Sequence, residues 1–197
     1  MSEKPTYYDI RAGLWEKSWD LAKSYNEFLI GASSDHIARW NETFERTPDL
    51  MQDQVEKLIG YDRTIKVLMV AGVWCMDCSR TAPYLKKIIN AIGNKAELRI
   101  IDRDTIQMLK DEIHVMGAPR VPCVIFLSED WFELGRFSDR TLSVYRSKMA
   151  REVGRGIVQG ILSPQSRERE LSEWVEIVER ILIMLRLAPM LRKRYGD

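Results

Sequence analysis

Residues 66 to 78 read Lys66-Val-Leu-Met-Val-Ala-Gly-Val-Trp74-Cys75-Met-Asp-Cys78. The run before Trp74 is apolar throughout, as a central strand covered on both faces must be. It delivers two cysteines, spaced C-x-x-C, to the start of a segment with helical periodicity. Leu85, Ile88, Ile89 and Ile92 form one side of that helix, and Gly93 ends it. Pro83 lies inside it, where a proline removes a backbone donor and its ring meets a carbonyl. A strand feeding two cysteines into a helix N-terminus is the arrangement of a redox motif.

The elements that follow alternate. Ala96 to Asp102 reads as a strand, and Asp104 to Val115 as a helix with Ile106, Leu109 and Ile113 inward. Gly117-Ala-Pro-Arg-Val-Pro122 is a turn-rich loop. Residues 123–127 and 131–137 read as two strands joined by Ser128-Glu-Asp130. The first two strands, linked by a helical crossover, must be parallel, and the last two form a hairpin.

Composition sets outer bounds. The chain has 197 residues, long enough for one sizeable core with additions. Its formal net charge is +1, which gives no reason to expect nucleic acid as a partner. No apolar run is long enough to span a bilayer, and Met1-Ser-Glu-Lys-Pro5 does not lead into a signal-peptide core. A cytoplasmic location with reduced thiols is expected. Three cysteines argue against a disulfide framework, since two belong to one motif and the third stands apart.

Both flanks read as helical. Leu14, Leu21 and Phe28, with Trp15, Trp19, Ala22, Tyr25 and Leu29, give one wide apolar face, capped by Asp9 and ended by Gly31. Ser33-Ser-Asp35 restarts a helix carrying Ile37, Trp40 and Phe44. Thr47-Pro48-Asp49 has the composition of a third helix start, and Gly60 ends that helix. This aromatic segment is a helical layer packed on the core or, alternatively, a substrate or partner groove. After the core, Thr141 to Gly160 places Leu142, Tyr145, Met149 and Val153 in step, with Gly154 and Gly156 weakening its end. From Ser163-Pro164 a second helix carries Leu171, Trp174, Val175, Val178, Ile181, Leu182 and Leu185. It reads as closing the core, with a dimer seam as the alternative. Pro189 breaks it, and Arg192-Lys-Arg194 reads as a solvated tail.

Trp74 directly before Cys75, Pro83 five residues after Cys78, and Val121-Pro122 opening an apolar run together resemble the thioredoxin family. The resemblance spans roughly residues 60 to 145. It implies an α/β thioredoxin-like fold: a central mixed sheet flanked by helices, with extra helices at both ends. Residues 61–145 would be that core, 1–60 a helical N-terminal extension, and 146–197 a helical C-terminal extension packed on it. It also implies a cis Val121-Pro122 bond, with the Val121 backbone beside an extended substrate, and Arg120 flanking the same face. Arg120 reads as a selector of acidic substrates or as a solvated loop arginine.

The implied activity is reduction of protein disulfides, with Cys75 and Cys78 as the reacting pair and no cofactor. Its partners would be a disulfide-containing protein and an unidentified dithiol or flavoprotein reductase. The chemistry of the two sulfurs follows from place. A cysteine at a helix N-terminus meets unpaired N–H groups and the positive end of the dipole, which lower its pKa from about 8.5. Cys75 would therefore attack, and Cys78, one turn inside and protonated, would resolve the mixed disulfide. Met76 and Asp77 stand between them, where thioredoxins have Gly-Pro. Asp77 either raises the Cys75 pKa by its charge or serves as an ordinary first-turn acid.

Two departures bear on rate. The family's buried acid, six residues before the first cysteine, is replaced by Met69, and its usual lysine by Leu98 or Arg99. Met69 and the long flanks favour a second reading, a binding or redox-sensing adaptor on a thioredoxin scaffold. A glutaredoxin-like or peroxide-linked activity is a third; Trp74 and the lack of a glutathione pattern argue against a glutaredoxin. Cys123 reads as a small core residue, with a third redox sulfur or a metal ligand as alternatives. A Cys₃His zinc set would need His36 or His114, both distant in sequence, so no metal is expected.

Overall fold

The computed structural model of the protein describes residues 7–153 and 164–196. Four helices come first: α1 (Ala12–Leu21), α2 (Tyr25–Phe28), α3 (Ser34–Glu45) and α4 (Gln52–Glu56). The core then runs β1 (Ile65–Ala71), α5 (Met76–Ile92), β2 (Ala96–Asp102), α6 (Gln107–Glu112), β3 (His114–Val115), β4 (Ala118–Pro119), β5 (Cys123–Leu127) and β6 (Glu133–Ser138). It closes with α7 (Leu142–Val153), α8 (Pro164–Leu187) and α9 (Pro189–Tyr195). The main sheet has the order β2-β1-β5-β6. β1 and β2 are parallel, while β1–β5 and β5–β6 are antiparallel. The crossover and the hairpin are those expected from the sequence.

Register sorts the strand residues onto two faces, because side chains alternate. Leu68 pairs with Arg99 and Ile125, and Ile125 with Arg136. On this face α1 sets Trp19 against the Arg99 guanidinium and Trp15 against that of Arg136, while Trp131, from the turn before β6, lies against the Lys66 ammonium. Met69 pairs with Ile100 and Val124, and Val124 with Phe137. Phe137 packs edge-on against Trp174 of α8, and Ile181 covers Gly135 so closely that a Cβ there would lie 2.9 Å from it. α5 packs against α3, α4 and α8. The apolar stripe of α8 from Leu171 to Leu185 is buried within this chain, so that helix closes the core.

Several boundaries differ from the sequence reading. The first helix is two, because Lys23 leaves helical geometry and bridges the edge strand at Ile100 with both backbone bonds, 2.8 and 2.7 Å. That bridge covers the open side of β2. Asp9 accepts from Arg11 N and Glu133 N, both 2.8 Å, so it ties the chain's start to β6 rather than capping α1 directly. α4 begins at Gln52 and not at Pro48. Lys87 of α5 binds the Thr47 carbonyl and the Asp49 carboxylate, both at 2.6 Å, and holds that stretch out of helix. His114 is not late in a helix but in β3. Met116 and Gly117 both have positive φ, the geometry of a two-residue hairpin turn joining β3 and β4. β6 starts at Glu133, since Trp131 has positive φ and Ser128 Oγ accepts from Asp130 N and Phe132 N to close a longer turn.

α7 turns its apolar face outward. Leu142, Tyr145, Met149 and Val153 share a face, but they are 55, 43, 48 and 58 % exposed. The buried side carries Ser143, Val144 and Ser147. α7 packs on α8, and Glu173 of α8 accepts the Ser143 N–H at 2.9 Å, which caps the helix and fixes which face turns inward. Gly154 and Gly156 lie outside the described residues. The C-terminal basic cluster, Arg192 to Arg194, is solvent-exposed as expected, and it is helical. Arg194 pairs with Asp130 at 2.7 Å and Tyr195 Oη donates to the same carboxylate at 2.9 Å.

Candidate active site

β1 ends at Ala71, and Gly72-Val73-Trp74 carries the chain into α5 with Cys75 as its N-cap residue. The turn is held from outside. Trp40 of α3, fully buried, donates its indole N–H to the Val73 carbonyl at 2.9 Å, and Arg39 donates to the same oxygen at 3.0 Å. The Trp74 ring folds over Gly72, where any Cβ would come within 2.6 Å of the indole. Gly72 is thus required by close approach. Trp74 stays half exposed, with the Arg103 guanidinium 5.2 Å from the ring centre.

The sulfurs occupy different environments. Cys75 is 8 % exposed and Cys78 is completely buried, and both are free thiols. The Cys78 backbone N–H donates to Cys75 Sγ at 3.2 Å, where a capping side chain would accept. Hydrogen bonds from the Cys78 side chain and backbone hold the Cys75 thiol below the ordinary cysteine value, against opposition from burial and from the Asp77 charge. Burial, followed by hydrogen bonding and charge from Cys75, pushes the Cys78 thiol well above it. The two shifts have opposite directions, so Cys75 is the more readily ionised of the two sulfurs.

The Val121–Pro122 peptide is cis, and the Val121 carbonyl lies 3.6 Å from Cys75 Sγ, in position to accept its S–H. Cys75, Cys78, Val121 and Pro122 are therefore brought together, with Trp74, Met76 and Asp77 around them. Met76 is well exposed. Arg120 is exposed and has no hydrogen bond or ion pair among the described residues. Met69 is fully buried and lies, by register, on the sheet face that α5 covers. Cys123 sits in line with Val70 and Ser138, on the opposite face. It accepts the Ser138 hydroxyl at 3.1 Å, and burial pushes its thiol up to about 11. Among the described residues, no group of three or more His, Cys, Asp or Glu could hold a metal ion.

Sequence reasoning missed the partner of Asp77. Arg140 Nη2 lies 2.6 Å from Asp77 Oδ2, and Arg140 also pairs with Asp139 at 3.2 Å. Asp139, at positive φ, donates its N–H to the Pro122 carbonyl at 2.8 Å and accepts the Tyr145 hydroxyl. The loop after β6 thus links the cis-proline segment to the first turn of α5. Arg39 and Trp40 were equally invisible as supports for Val73, since no local spacing connects positions so far apart.

Comparisons with known proteins bear on the fold and the family. A family model described as thioredoxin matches residues 22–151. Nothing among curated proteins matches. A crystal structure of a protein of unknown function from Pseudomonas aeruginosa is similar at 18 % identity and a TM-score of 0.66, covering 85 % of this chain and 95 % of that one. An HIV epitope-scaffold is similar at 19 % identity and a TM-score of 0.61, over 81 % and 96 % of the two chains. At such identities the likeness of structure speaks for the fold, and the family match adds descent. With the mixed sheet, the helix that begins at Cys75 and the cis-proline opposite it in view, the chain belongs to the thioredoxin family.

Proposed function

We propose that this protein is a thiol–disulfide oxidoreductase that reduces protein disulfides through Cys75 and Cys78. The observation that carries this reading is the Cys78 N–H on Cys75 Sγ, at the N-cap of α5, with Cys78 buried one turn deeper. The Cys75 thiolate attacks one sulfur of a substrate disulfide. A Cys75–substrate disulfide forms and the other substrate sulfur leaves as a thiolate. Cys78 then gives up its proton and attacks Cys75 Sγ. The second substrate thiol is released and the Cys75–Cys78 disulfide remains, so two electrons have passed to the substrate. An external dithiol or flavoprotein reductase must return them. The Val121 backbone, close to Cys75 Sγ, is the surface along which we place an extended substrate.

Residues 61–145 would supply this chemistry, with 1–60 and 146–197 as additions packed on them. No helix among the described residues is long and apolar enough to cross a membrane. The reading assigns the protein to the cytoplasm, where such thiols are kept reduced.

Met69 favours a second reading. A buried thioether at the place of the family's buried acid leaves Cys78 without that acceptor for its proton. A slow resolving step would suit an adaptor or redox sensor. Dithiol-driven reduction of insulin separates the two. Rapid turnover supports the reductase, and a Cys75–Cys78 disulfide that forms without turnover supports the sensor.

A further inference from the structure

Beside the first turns of α5 a groove of about 490 Å³ opens between α3, α5, α7 and α8. Its lining is rich in guanidinium groups. Arg39 and Arg46 come from α3, Arg80 from α5, Lys148 and Arg151 from α7, and Arg167 from α8. Arg140 joins them at the end where Met76 and Asp77 line the wall.

Several of these charges are already answered. Arg46 pairs with Glu42 at 2.7 Å, and Arg140 with Asp77. Lys148 and Arg151 share Glu152 at 3.8 and 3.6 Å. Arg80 lies 3.1 Å from the buried Glu170. Arg39 and Arg167 have no carboxylate partner among the described residues. Each also carries a buried N–H without an acceptor there, Nε in Arg39 and Nη1 in Arg167. Those atoms are sealed from an occupant, but both side chains are only partly buried and line the groove, so an anion there would answer two guanidinium charges that no carboxylate among the described residues balances.

We propose that this groove binds a carboxylate-rich peptide segment beside the disulfide that Cys75 attacks, with Arg167 and Arg39 as its principal contacts. The volume suits a short segment of a few side chains. Arginine forks match discrete carboxylates in two-pronged fashion. Glu42, Asp77 and Glu152, interspersed among the cations, would repel a continuous phosphate backbone. The Met76–Asp77 end places an occupant next to the dithiol. The inference rests on the reductase reading for its consequence, and on the groove alone for binding.

Two probes test it: a short cystine peptide flanked by glutamates, and its counterpart flanked by glutamines. At low salt the reduced protein should reduce the glutamate peptide about tenfold faster. Arg167→Gln should bring that ratio to about one, as should high salt, while the rate on the glutamine peptide stays unchanged. Arg151→Gln, at an exposed position that the fold does not need, should lower the ratio in part. Equal rates on both peptides, or a ratio untouched by either variant, would overturn the proposal. Should neither peptide be reduced, the reductase reading fails, and calorimetry with a serine-substituted glutamate peptide reads the groove alone. Binding that Arg167→Gln weakens supports the inference; no binding, or preference for an oligonucleotide, overturns it.

Discussion

Arg140 Nη2 and Asp77 Oδ2 stand 2.6 Å apart, so the acid between the two cysteines is answered by a guanidinium from the loop after β6. The Asp77 charge acts to raise the Cys75 pKa, but it acts through this pair. Asp77→Asn should lower the Cys75 pKa, and Arg140→Gln should raise it, since the first removes the opposing charge and the second its counter-charge. In the double variant the Arg140 effect should largely vanish. Thiolate absorbance against pH measures all three. A Cys75 pKa that does not fall in Asp77→Asn would remove the electrostatic role given to that acid.

The register of β5 turns Cys123 away from the α5 face of the sheet. Cys123→Ala should leave the rate of disulfide exchange within about twofold of wild type and cost stability of about 1 kcal/mol, from a small cavity and a lost Ser138 contact. Peptide-disulfide kinetics and denaturant unfolding check the two parts. A large loss of exchange with the fold intact would make Cys123 a third redox sulfur after all.

Trp40 and Arg39 both donate to the Val73 carbonyl. Trp40→Phe removes one of these donors and leaves a buried gap. A loss of about 2 kcal/mol is expected, with a slower reaction at Cys75 because its turn is less firmly placed. Denaturant midpoints and single-turnover rates give both quantities. Unchanged stability would show that Arg39 alone holds the turn.

Burial pushes the Glu170 carboxyl up to about 7, with Arg80 pulling it only part of the way back. Unfolded glutamate titrates near 4.3. Between those values the folded chain holds more protons than the unfolded one, so Glu170's contribution to stability falls as pH rises through that window and is level above it. The wild type should therefore lose stability relative to Glu170→Gln between pH 5 and pH 8, by on the order of 2 kcal/mol. Unfolding midpoints of both proteins at the two pH values measure this. A pH-independent difference would contradict it.

Local patterns made the centre of the molecule legible. The apolar strand, the C-x-x-C pair and the helix ending at Gly93 are each specified within a few residues, and a crossover between two strands leaves them only one parallel arrangement. The pairing of Asp77 with Arg140 left no such trace, because it depends on how the β6 loop returns. Lys23 could not be read as a sheet residue either, since one bridge has no period. α7 shows the limit of periodicity itself: Leu142, Tyr145, Met149 and Val153 mark a face, but contact with α8 decides which face is buried.

The most direct test of a Cys75-led exchange is stopped-flow reaction of the reduced protein with a peptide disulfide from pH 5 to pH 9, with mass mapping of the products. The expected result is a rate that rises with an inflection below the ordinary cysteine value of about 8.5. Two peptide thiols should be released per protein, leaving a Cys75–Cys78 disulfide, and Cys78→Ser should stop at a peptide adduct on Cys75. An inflection at or above the ordinary value, or an adduct on any other sulfur, would contradict it.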